Sequence, residues 1–124
     1  MMRGFRHAAQ LPGVTLGAKR VSLPGAVGFQ LNDEMPLARP NVFVGGREFA
    51  HLHPDGSLHA SLDPGLAGDA IKSGWAVAHP WATQRDGWEG FVMIFTPTTP
   101  DELGVVKQLL ESSYSFVTGR ALKR

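Results

Sequence analysis

The stretch Glu48–Leu62, EFAHLHPDGSLHASL, decides the fold. Pro54-Asp55-Gly56 separates two runs in which apolar and polar residues alternate. Proline sets φ for the first corner of a type I turn, aspartate suits the second, and glycine accepts the left-handed position that follows. The spacing therefore predicts a hairpin with a three-residue loop closed by a glycine bulge. In that register His53 lies opposite Ser57, His51 opposite His59 and Phe49 opposite Ser61. Strand alternation then puts Phe49, His51, His53, Ser57, His59 and Ser61 on one face and Ala50, Leu52, Leu58, Ala60 and Leu62 on the other. The second face is a core face. The first gathers three of the chain's five histidines.

Working outward, Asn41–Val44 reads as a strand turned by Gly45-Gly46 into the central hairpin, with an earlier strand near 26–31 extending the sheet. Val14–Leu16 and Arg20–Leu23 are shorter β-type runs, and Asn32–Pro40 is loop by composition. Residues 1–10 suit a short amphipathic helical turn or a frayed end. After the hairpin, Asp63 caps a helix with Pro64 in its first turn and Gly74 at its end. Gly90–Phe95, GFVMIF, is apolar throughout and reads as a central strand covered on both faces. Thr99-Pro100-Asp101-Glu102 has the spacing of a capping box and opens a long helix whose apolar stripe runs Leu103, Val106, Leu110, Tyr114 and Val117, ending at Gly119. The order is β-meander, helix, strand, helix. The expected fold is one α+β domain over residues 1–124, an antiparallel sheet with both helices packed on one face and the histidines on the other or at the sheet's open end.

With 124 residues the chain suits one domain. Twelve basic and eleven acidic residues leave a formal charge of +1, which gives no long-range pull toward nucleic acid or an anionic membrane. The absence of cysteine removes disulfides, thiolate zinc sites and cysteine nucleophiles, and fits a cytoplasmic protein. No apolar run approaches the roughly 20 residues of a membrane span, and MMRGFRHAAQ lacks the apolar core of a secretory signal.

The candidate chemistry lies with the histidines. His51, His53 and His59 are placed to converge on one metal ion, since cross-strand Cβ atoms lie about 4.5–5.5 Å apart. Imidazole also suits proton transfer near neutrality. The plain structural alternative is three histidines on a partly exposed face, partnered by Ser57, Ser61 or water. His79 and Trp81 would close one side of a ligand pocket, or Trp81 would plug the end of the helical layer. Arg47 flanks the hairpin where it could meet an anion, or stands as a solvated strand end; Asp55 is a turn residue or orients a histidine. The function expected is binding of a small molecule or metal ion, with catalysis left open and no cofactor specified. The competing reading is a protein- or nucleic-acid-interaction module using Arg3, Arg6, Lys19, Arg20, Arg120, Lys123 and Arg124. A homodimer surface on the histidine face around Phe49 is a further expectation.

LPGV (11–14), LPGA (23–26), GREFAHLHPDGSLH (46–59), SGW (73–75), HPWA (79–82), GFVMIF (90–95) and LLESSYSFVTG (109–119) together resemble bacterial domains grouped as "luciferase domain". The likeness covers nearly the whole chain, and HLHPDGSLH is its most specific part. It implies a largely uncharacterised domain with a longer N-terminal helix than the ten residues before LPGV allow; no residue here reads as a flavin or luciferin site. The element order alone also resembles MmcQ/YjbR-like α+β domains, for which DNA binding has been proposed, although the near-neutral charge argues against that function here. Gly45 followed by His51-x-His53 is similar to the opening of a cupin metal motif, but Ser57 and Leu58 stand where its glutamate belongs.

Overall fold

A computed structural model of the chain describes residues 2–17, 26–43 and 46–120. The expected strand at Arg20–Leu23 and the basic residues Lys19, Arg20, Lys123 and Arg124 lie outside these described residues. Among the described residues six strands form one antiparallel sheet: β1 (Val14–Gly17), β2 (Val27–Leu31), β3 (Glu48–Leu52), β4 (Leu58–Ser61), β5 (Ala76–Ala78) and β6 (Phe91–Ile94), ordered β1-β2-β3-β4-β6-β5. Helix α1 (Pro64–Lys72) follows β4, and α2 (Pro100–Thr118) ends the fold. The α+β class is as expected.

The central hairpin takes the register set by its turn. His51 faces His59, the His53 amide donates to the Ser57 carbonyl at 2.8 Å, and Gly56 adopts φ 94°. The Asp63 carboxylate accepts from the Gly65 and Leu66 amides to start α1. Thr99 accepts from the Glu102 amide to start α2, which stops at left-handed Gly119. Glu102 departs from the simple capping box by accepting from the Thr98 amide and hydroxyl.

One core joins the layers. Ala50, Leu52, Leu58, Ala60, Val92 and Ile94 from the sheet meet Ala67 and Ala70 of α1 and Val106, Leu110, Tyr114 and Val117 of α2. Ser113 of α2 is fully buried and donates to the Ser61 carbonyl at 2.6 Å, tying the long helix to β4. The N-terminal segment Met2–Gln10 is a 3₁₀ helix, anchored by fully buried Phe5 and Ala8. Tyr114 also donates to the Pro12 carbonyl just beyond it.

Two expectations about the strands need correction. Asn41–Val44 is not a strand beside the hairpin: Pro40–Val42 is a 3₁₀ turn, and β2 occupies that edge of β3 instead. Val44 and Gly45 lie outside the described residues. The GFVMIF strand is well covered but not central, since β6 lies next to the edge strand β5. That edge strand, Ala76–Ala78, is too short and alanine-rich to signal itself; it exists through pairing with β6.

Candidate functional site

The hairpin's polar face lies opposite the helices. His51, on β3, and His59, on β4, are cross-strand partners whose rings stack at 4.9 Å and 17°. His53, just past the end of β3, lies 5.2 Å from His51 and 5.1 Å from His59, ring centre to ring centre. The three imidazoles therefore gather as the turn requires.

The fourth member of the group is Glu48, and a β-bulge puts it there. Phe29 pairs with Ala50 while its neighbour Gln30 pairs with Glu48, so Phe49 is the extra residue on β3. The bulge sends Phe49 into the core, 2% exposed and edge-on to Tyr114 at 6.0 Å. The expected place of Phe49 on the histidine face is thus wrong, and with it goes the apolar ring of the expected homodimer surface. Glu48 takes that place. Its Oε1 lies 3.5 Å from His51 Nδ1 and 3.8 Å from His59 Nε2, with the Glu48 side chain only 8% exposed. Gly28, opposite His51, leaves the room: a Cβ there would sit 2.2 Å from Glu48 Oε2. Glu48, His51 and His59 offer ligand atoms within 4.8 Å of one another.

His53 is held from the turn. Ser57 donates its hydroxyl to Asp55 at 2.7 Å, and Ser57 Oγ lies 2.9 Å from His53 Nδ1. The Ser57 hydroxyl and amide hold the Asp55 carboxyl below its usual pKa. Burial, then the neighbouring His59, lowers the pKa of His53.

On the other side, His79 packs face to face with Phe91 at 4.2 Å and lies 5.9 Å from His59. Its Nδ1 accepts from the Trp81 amide at 3.0 Å. Burial first, with His59 and His53 adding to it, lowers the His79 pKa. Trp81 is 46% exposed, 5.2 Å from His79 and stacked on Trp88 at 6.5 Å. At that exposure Trp81 stands beside His79 and is not packed inside the helical layer.

Arg47 is not gathered with the rings. Its guanidinium donates to the carbonyls of Leu31 (3.2 Å), Asn32 (2.8 Å) and Met35, clamping the loop after β2. Those bonds explain its position. Sequence reasoning missed Glu48, because simple alternation assigns it to the core face with Ala50. The signal was there: alternation would put the Glu48 carboxylate on the apolar core face with Ala50 and Leu52, which is costly, and a bulge relieves it.

Among the described residues no helix is long and apolar enough to cross a membrane. No solved structure matches the chain. Curated proteins named luciferase from Armillaria gallica and Armillaria mellea are each 32% identical over 78 residues, covering 58% of this chain and 29% of theirs. Armillaria ostoyae has a similar relative with the same identity and coverage. The chain thus spans less than a third of the length of these relatives. A family model described as Luciferase domain matches residues 46–113, more than half of the chain, a span containing Glu48, the three hairpin histidines, the Asp55-Ser57 turn, His79 and Trp81. The chain belongs to the Luciferase domain family.

Proposed function

We propose that this domain binds a divalent first-row transition-metal ion through Glu48, His51 and His59, with His53 beside the ion and His79 and Trp81 walling the space where a small molecule would sit. The observation that carries this reading is a carboxylate only 8% exposed, set 3.5 and 3.8 Å from nitrogens of two imidazoles. Two imidazoles and a carboxylate suit zinc or iron(II) better than magnesium or calcium, which favour all-oxygen shells. Three protein ligands leave coordination positions open, as catalytic metal sites do.

The name luciferase, carried by longer relatives, supports an enzymatic role for the site. The interaction-module reading has less behind it. A charge of +1 supplies little attraction for nucleic acid. The test is equilibrium dialysis against zinc followed by elemental analysis. The reading requires one zinc per chain, lost in His59→Ala; wild-type protein that emerges without zinc defeats it.

A further inference from the structure

Two rings of the cluster, His53 and His79, stand outside the Glu48–His51–His59 group, and each has one nitrogen committed to a hydrogen bond. Counting protons along those bonds fixes what the other nitrogen carries. The hydroxyl of Ser57 has a single proton, and it goes to the Asp55 carboxylate, 2.7 Å away. Asp55 Oδ1 also accepts from the Ser57 amide at 2.9 Å, so the turn holds this carboxylate as an acceptor. Ser57 Oγ therefore meets His53 Nδ1, 2.9 Å away, with a lone pair, and Nδ1 must supply the proton. The tautomer of a neutral histidine is set by the bond its other nitrogen makes, so His53 Nε2 is left with a lone pair. His79 is the reverse case. Its Nδ1 accepts from the Trp81 amide, so the single proton of the neutral ring is on Nε2.

We infer that Asp55 and Ser57 are positioning residues that lock His53 as the Nδ1–H tautomer, leaving its Nε2 a lone-pair acceptor on a ring that stands beside the Glu48–His51–His59 group. The inference rests on the metal reading for its purpose, although the lock itself stands on the hydrogen bonds of the turn. The Pro54–Gly56 loop then has two duties: it sets the register that gathers the rings, and it fixes the proton on one of them. Hydrogen-bond partners in the outer shell of a metal site commonly alter metal affinity 10- to 100-fold when removed. Here the carboxylate acts through one hydroxyl.

The experiment is a long-range ¹H–¹⁵N correlation spectrum of the metal-free chain at alkaline pH, where the rings are neutral, with zinc affinity measured alongside. Wild type should show His53 protonated on Nδ1 and His79 on Nε2. Ser57→Ala should move the His53 proton to Nε2 and weaken zinc binding about tenfold, and Ser57→Thr, which keeps the hydroxyl, should restore both. The His79 signals serve as the internal control and should not change. A wild-type His53 carrying its proton on Nε2, or a Ser57→Ala spectrum identical to wild type, overturns the lock. A correct His53 signature in a chain that takes up no zinc supports the lock and defeats the metal reading, so the two fail separately.

Discussion

Glu48 and His51 meet on one face of the sheet, Oε1 to Nδ1 at 3.5 Å, although they are three residues apart in one strand and simple alternation would part them. The bulge at Phe49 makes this possible, and glycine at position 28 provides the space. Gly28→Ala should therefore act on the site more than on the fold. The new Cβ would lie 2.2 Å from the far end of a flexible side chain, so the carboxylate swings away. Zinc affinity should fall about tenfold or more, on the scale of a lost metal partner, while stability changes by less than about 1 kcal/mol, since alanine is otherwise favoured over glycine inside a strand. The same substitution at Gly90 should do the opposite. There the Cβ would stand 1.8 Å from the Leu62 carbonyl oxygen, a backbone atom that cannot swing aside, and the loss should be about 2 kcal/mol or more. Urea melts and zinc titrations of the two variants check the contrast.

Glu48→Gln separates charge from shape. The amide keeps the side chain's size but gives up the anion, so zinc affinity should fall at least about tenfold. Unchanged zinc binding in this variant would remove Glu48 from the ligand set.

Ser113 tests the link between the sheet and its long helix. It is fully buried and donates to the Ser61 carbonyl at 2.6 Å, with the Phe49 carbonyl at 3.4 Å. Ser113→Ala leaves those carbonyls without that donor inside the core and should cost about 1–3 kcal/mol in chemical denaturation. Zinc affinity should follow wild type below the melting transition, since the hydroxyl is on the helix side of the sheet.

Acid should loosen the metal-free fold in the histidine range. Burial is the largest cause lowering the pKa of His7, His53 and His79. A ring with a folded pKa below its unfolded value binds fewer protons when folded, so stability rises with pH across that interval. This contribution is complete above the unfolded value of about 6.5 and is lost as pH falls through the lowered folded values. Melting temperatures of the chelated protein should thus drop between pH 7.5 and pH 5.5, and His7→Gln should flatten part of the slope. A flat profile over that range contradicts burial of these rings.

The fold was legible where local chemistry decides it. The Pro54-Asp55-Gly56 turn, the Asp63 and Thr99 caps and the glycine ends of both helices act within a few residues, and each stands where it was read. Because the turn fixes the register, the meeting of His51, His53 and His59 was legible too. What escaped reading depends on contacts far along the chain. β5 needs β6 as a partner, and Asn41–Val44 loses its expected place because β2 reaches β3 from some twenty residues earlier. Glu48 escaped for a different reason. A strand's period of two assumes no inserted residue, and one bulge exchanges Phe49 for Glu48 on the face that matters. Arg47 looked free at a strand end, yet its partners are three backbone carbonyls on the loop after β2.

The most direct measurement is anomalous diffraction at the zinc edge from crystals of the zinc-loaded chain. The account predicts one strong peak per chain, bonded to Glu48, His51 and His59 at about 2.0–2.2 Å, the range for carboxylate oxygen and imidazole nitrogen on zinc. A well-ordered Glu48–His51–His59 group with no peak beside it, or a zinc ion held only at other residues, would contradict it.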